Sequence, residues 1–298
     1  MSNLNIFFEI LIPLLFLVSG VIFSSNYGRF RVSVEGEFLI AAFFTNFFAI
    51  KTQNVYLSIF LSLIISAIFA IISFIIIEKF RINDIIYGII FNVFALSFTS
   101  LLMESLAGEK GLLSGTSHLK LPNLLPFLGN NIYLSFLNKS ILFYLGIILP
   151  IFSYYLFKKT GFGIKLRLVK TTSNILSLSG VNKDKYRLIG EIISSVFFSL
   201  AGSYLSLVTL SFFSRGVSAG RGYLALFIGA LAKDDLKMGF IFTGFFALYS
   251  LIGESLKLIF PYYSIILESI SYFLILITGI VYVKLKKINF AYLNNLKK

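Results

Sequence analysis

The sequence predicts an all-α fold, a polytopic membrane helix bundle of about nine spans with broken or re-entrant short helices. Three observations carry that expectation. The 298 residues are 57% hydrophobic with a mean hydropathy of +0.90. Only 13% are charged, against about 25% in soluble domains. The apolar residues also fall into runs near the length, about 20 residues, that crosses a hydrocarbon layer roughly 30 Å thick.

The candidate spans are approximately Ile6–Phe23, Gly36–Ile50, Val55–Ile77, Ile85–Met103, Phe136–Phe157, Leu188–Leu210, Gly222–Ala232, Gly239–Lys257 and Ser264–Val283. The second and seventh are short. The opening MSNLNIFFE lacks the basic start of a secretory signal, so the first run is expected to stay as a span. Basic residues then set the orientation. Lys79 and Arg81, then Lys233 and Lys237, and the tail from Lys284 fall in links that alternate crossings put on one side. A fourth link, Lys158 to Arg187, holds eight Lys or Arg against the single acid Asp184 and lies on that side too. Positive charge stays cytoplasmic, so the chain is expected in the cytoplasmic (inner) membrane with its amino terminus outside. Only Arg29 and Arg31 fix the first two spans.

The net charge of +13 follows from the same topology and implies no nucleic acid. There is no cysteine and one histidine, His118, so neither a disulfide nor a metal site is expected, and no cofactor is called for. No G-x-x-x-x-G-K-[ST], H-E-x-x-H or G-x-S-x-G occurs, which argues against an enzyme and leaves the chain no phosphate-cradling loop with which to hydrolyse ATP itself.

Some span residues invite closer reading. Ser62, Ser66 and Ala70 recur every fourth residue, as do Ser195, Ser199 and Ser203; this spacing lets helices approach closely in lipid. Glu35, Glu37, Asp84, Glu191, Arg215, Arg221, Glu254 and Glu268 lie within or beside spans, where a charge is costly and hence a functional candidate. Asp84 and Glu191 are read as lying at wet span ends, and Glu254 as pairing with Lys257. Glu268 divides between a bundle-interior hydrogen bond and a pathway group. Finally, Ser33–Ala41 and Ser218–Ala225 both begin polar and glycine-containing, then run apolar, the pointer to broken helices at a transport site.

Several stretches together resemble the permease subunits of bacterial ABC importers, in the branch serving nucleosides and simple sugars. Thr160-Gly-Phe-Gly-Ile-Lys-Leu-Arg167 and Leu178-Ser-Gly-Val-Asn-Lys183 are similar to that branch's T-x-x-G-x-x-L-R and S-G-I-N. Ser218 to Leu226 resembles A-G-R-G-[FY]-x-A-L, Ile82 to Ile86 with Asn92 resembles N-E-V-I…N, and Glu35-Gly36 falls in I-E-G-Q. The family's asparagine before that motif is Arg31 here and its glutamine is Glu37, while LAKDDL (231–236) stands where F-G-K-W-N-P is usual.

The resemblance implies a single transmembrane permease domain over 1–298, with a cytoplasmic coupling loop at 158–187 and a basic tail at 285–298. It implies partners too: cytoplasmic ABC ATPase subunits gripping Gly161, Gly163, Lys165, Arg167, Gly180 and Asn182, a second permease or a copy of this chain, and an extracytoplasmic solute-binding protein. The pathway it implies comprises Glu35, Asn92, Ser218, Arg221 and Tyr223, and the A-G-R-G form leans toward nucleosides over sugars such as ribose. The rival expectation is an ion-coupled secondary transporter.

Overall fold

The computed structural model describes residues 3–108, 111–114, 116, 119, 121–124, 138–170, 182–233 and 235–295. Gly180 and His118 lie outside them, and so does the side chain of Glu268. The chain forms two compact units, 12–240 and a second made of 1–11 with 241–298.

In the larger unit, helix α1 (Asn3–Asn26) enters and an ordered turn leads into α2 (Val34–Thr52). Asn54 starts α3 (Val55–Phe80) by accepting from the Tyr56 and Leu57 amides, and Asn83 starts α4 (Asp84–Ala107) by accepting from the Ile85 amide. Such caps satisfy amides that have no partner within the helix. Next come α5 (Ile141–Lys159) and α6 (Gly161–Val169), then α7 (Lys183–Tyr204), which runs on into a π-helical turn over Leu205–Thr209. A two-stranded antiparallel ribbon joins β1 (Leu112–Leu113) to β2 (Phe213–Ser214), a small exception to the all-α expectation. Helices α8 (Arg221–Ala232) and α9 (Leu236–Ile259) follow.

Helix α2 is the axis of this unit. From Val34 to Ala42 every residue is buried, and α3, α4, α7 and α8 pack around it. The paired serine rows meet: Ser62 Oγ lies 3.3 Å from Ser199 Oγ and donates to Ala41 O, while Ser195 donates to Ser66 O at 2.8 Å. On the opposite face of α3, Phe60, Ile64, Ile68, Ile71 and Ile75 are exposed. Small and polar inside, bulky and apolar outside is the inverse of a soluble helix, and it suits a helix solvated by lipid.

The smaller unit packs α9 beyond Ile241 against α10 (Ser264–Asn295), with Phe246 on Tyr272 and Phe242 on Tyr282 edge to face. Lys257 donates to Glu254 at 2.8 Å, the pairing expected from their spacing.

Among the described residues six helices are long and apolar enough to cross a membrane: those at Leu4–Asn26, Val55–Phe80, Asp84–Leu106, Ile141–Lys159, Lys183–Thr209 and Leu236–Lys257. The remaining three expected spans are helical as well. Helix α2 runs 19 residues, longer than its hydropathy suggests because Glu35, Glu37 and Lys51 dilute it, whereas α8 and the stretch Ser269–Tyr282 are shorter apolar helices.

Candidate functional site

The motif glycines and the buried acids of α2 meet where α8 begins. The chain reaches α8 through a tight segment in which Gly216, Ala219 and Gly220 all take positive φ, and Gly220, at φ 76°, stands at the helix start. That turn aims the first amides of α8 at Glu35: the Gly220 amide donates to one carboxylate oxygen at 2.9 Å and the Gly222 amide to the other at 2.6 Å. A carboxylate at a helix amino terminus answers both its unpaired amides and the positive end of its dipole. Gly222 is required there because a Cβ would sit 2.6 Å from Glu35 Oε2 and 2.7 Å from its Cα.

One turn of α4 completes the arrangement. Asn92 accepts from the Gly36 amide at 2.8 Å and donates to Val32 O at 2.9 Å and to the Tyr223 hydroxyl at 3.1 Å. Together these residues border a cavity of about 250 Å³, lined by Glu35, Asn92, Ser218 and Tyr223 with apolar Leu39 and Leu96. Four of the five pathway residues expected from sequence are therefore brought to one cavity from three distant stretches. Arg221 turns aside and donates to Val217 O at 3.3 Å, one turn back. Glu35 is 9% exposed with both oxygens occupied, whereas Tyr223 is 49% exposed and offers an open ring.

Beneath this cavity lies an ionic lattice that sequence reasoning missed. Arg31 binds both Glu37 oxygens at 2.5 Å and reaches Glu191 at 2.8 Å, while Ser33 donates to Glu37 at 2.7 Å. Arg29 pairs with Asp84 at 2.6 Å and Glu78 at 2.8 Å and faces Glu191 at 3.4 Å; Arg187 joins at Glu78, 2.6 Å away. Arg29, Arg31 and Glu191 are 3%, 5% and 1% exposed. Glu191 is thus not at a wet span end, and the two arginines do more than mark topology. Burial alone would lower the pKa of the Arg29 guanidinium, but Glu191, Asp84 and Glu78 reverse this and hold it above its ordinary value. Arg31 is raised in the same way against burial by Glu191 and Glu37. The one sequence signal for the lattice was the joint departure of Arg31 and Glu37 from the family pattern, since the two bind each other.

The residues expected from sequence to couple to an ATPase divide. Thr160 opens α6 by accepting from the Gly163 amide at 3.3 Å. Gly163 is buried, and a Cβ there would run into the Phe157 and Leu156 carbonyl oxygens, so α6 can turn back against α5 only with glycine at this position. Leu166 and Val169 are buried while Lys165 and Arg167 are exposed, which makes α6 a short amphipathic helix presenting cations. Around Gly161 there is open space. Asn182 caps α7, accepting from the Lys185 amide at 3.1 Å. Gly180 is among the residues not described.

Among the described residues no group of His, Cys, Asp and Glu could hold a metal ion. No solved structure matches the chain at a significant level. Two characterised proteins do. The guanosine ABC transporter permease protein NupQ of Bacillus subtilis (strain 168) is 29% identical over 271 residues, covering 83% of this chain and 81% of its own length. The nucleoside ABC transporter permease protein NupC of Lactococcus lactis subsp. cremoris (strain MG1363) is 26% identical over 224 residues, 72% of this chain and 70% of its own. The family described as branched-chain amino acid transport system / permease component matches residues 4–285, a range that includes the cavity and the ionic lattice, so the chain belongs to that family of ABC transporter permeases.

Proposed function

We propose that this chain is the membrane-spanning permease of an ABC importer that passes nucleosides across the inner membrane. The observation that carries the substrate class is the cavity between α2, α4 and α8, where Asn92, Ser218 and Tyr223 set hydrogen-bonding groups and one exposed aromatic face against an apolar wall. A neutral, flat, hydroxyl-bearing solute needs those groups and no buried ion pair. Two relatives named for guanosine and nucleoside transport point the same way. The lattice charges do not favour an ion-coupled carrier, since arginines and carboxylates there are bound to one another.

In this reading nine helices cross or enter the membrane, α2 and α8 forming the inner pair, and the basic links face the cytoplasm. The 158–187 island is the handle: ATPase subunits dock on α6 through Lys165 and Arg167, with Gly180 and Asn182 nearby in sequence. Their closure on ATP moves α6 as a rigid body and switches the bundle between its two faces. A second permease, another copy or a relative, and an extracytoplasmic binding protein complete the importer.

The test is nucleoside uptake into proteoliposomes carrying the assembled importer. Asn92→Ala and Tyr223→Ala are each expected to raise the half-saturating guanosine concentration at least tenfold while leaving assembly intact. Normal uptake by both would overturn the pathway. Arg167→Glu is expected to keep insertion but uncouple ATP hydrolysis from uptake, and full transport by that variant would remove the docking claim.

A further inference from the structure

A second cavity, also about 250 Å³, opens where α1 ends at Asn26, α5 ends at Lys159 and α9 starts at Leu236. Cations dominate its rim. Lys158, Arg167 and Lys233 line it around Tyr154, and Lys237 lies beside it with its ammonium 5.3 Å from the Tyr154 ring centroid, Lys158 being 4.8 Å from the same centroid. Two ammonium groups gathered on one ring repel each other unless an anion lies between them. Among the described residues the only acid in the lining is Asp235, and its oxygen accepts from the Lys237 amide at 3.0 Å as the opening cap of α9. None of the four cations has an ion-pair partner among the described residues. Phe157 and Leu236 supply an apolar wall to the same cavity.

We propose that this cavity holds the phosphate headgroup of an anionic phospholipid. The lysine ammoniums provide several donors for phosphate oxygens, the Tyr154 hydroxyl one more, and charge-assisted bonds of this kind are the strong ones. Position selects a lipid over free phosphate. Three membrane-spanning helices have their ends here, so the cavity sits at headgroup depth, with aromatic and apolar side chains toward the glycerol and acyl region. Basic pockets between span ends on the cytoplasmic side attract anionic lipid headgroups.

The experiment is native mass spectrometry of the purified full-length chain titrated with phosphatidylglycerol or with phosphatidylcholine. The wild type is expected to retain one phosphatidylglycerol and no phosphatidylcholine with comparable affinity. Lys158→Ala/Lys233→Ala is expected to weaken that retention roughly thirtyfold. Lys158→Arg/Lys233→Arg, which preserves both charges, should keep it, and so should Lys286→Ala/Lys287→Ala in the tail. Unchanged retention in the alanine pair overturns the proposal. Displacement of the lipid by millimolar inorganic phosphate overturns the lipid assignment in favour of free phosphate. An alanine pair that keeps its lipid but loses ATP-driven uptake would give this surface to an acidic protein partner instead.

Discussion

Glu35 does two jobs at once: it borders the cavity between α2, α4 and α8, and it closes the amino terminus of α8 through both of its oxygens. Glu35→Ala strands two amides in a buried place, at about 1–3 kcal/mol each. The detergent-solubilised variant is expected to melt several degrees below wild type, with Glu35→Gln in between because the amide oxygen still accepts one bond. Gly222→Ala is expected to be worse than either, since its methyl would overlap Glu35 backbone and carboxylate together. Arg31 makes a sharper case. Removing it alone leaves Glu37 buried without its counter-charge and Glu191 with Arg29 only, a loss of about 3–5 kcal/mol. A double-mutant cycle on thermal stability should therefore find Arg31→Gln/Glu37→Gln less costly than the sum of its two single changes; simple additivity would mean that the pair is not coupled.

Among the elements, α6 has the narrowest tolerance. Gly163→Ala cannot be housed while α6 stays folded against the carbonyls that end α5, so the helix must shift. The expected outcome is a chain that inserts normally yet no longer ties ATP hydrolysis to uptake, whereas Gly161→Ala, with open space around it, should transport almost normally. What could be read in advance from sequence follows the same division. The serine rows of α3 and α7 are visible because their every-fourth spacing is local, and the glycines of A-G-R-G and of the segment entering α6 because they match family motifs. The ionic lattice was not, because Arg31 meets Glu191 across 160 positions and an arginine between two spans reads equally well as a topology marker. Helix α2 was read as short for a related reason. Hydropathy counts Glu35 and Glu37 against it and takes no account of the amides and guanidinium that receive their charge.

For the whole molecule, the absence of cysteine makes orientation directly measurable, because any single introduced thiol is the only one present. Lys79→Cys, Lys165→Cys and Lys233→Cys are expected to react with a membrane-impermeant maleimide in inside-out vesicles and to be silent in intact cells, and Leu112→Cys to show the reverse. Labelling of Lys165→Cys from the outside would remove both the cytoplasmic handle and the proposed ATPase dock. The bundle's inverted pattern, serines inward on α3 and isoleucines outward, also predicts different responses to substitution on its two faces. Ser66→Leu should separate α3 from α7 and abolish the folded chain in detergent, while Ile68→Leu should be silent.

The lattice also has a bearing on biogenesis. Arg29 and Arg31 leave the ribosome with the first hairpin, yet Arg187 and Glu191 are translated only after α3, α4, α5 and α6. Arg31 finds Glu37 within that hairpin and Arg29 finds Glu78 and Asp84 once α3 and α4 emerge, but their shared partner Glu191 is missing until α7, so the early helices released into lipid one at a time would carry an incomplete lattice. Insertion should proceed by retention, with the opening segments held at the translocon or an insertase until α7 emerges, and a nascent chain truncated before Lys183 should crosslink to that machinery far longer than one that extends past Tyr204.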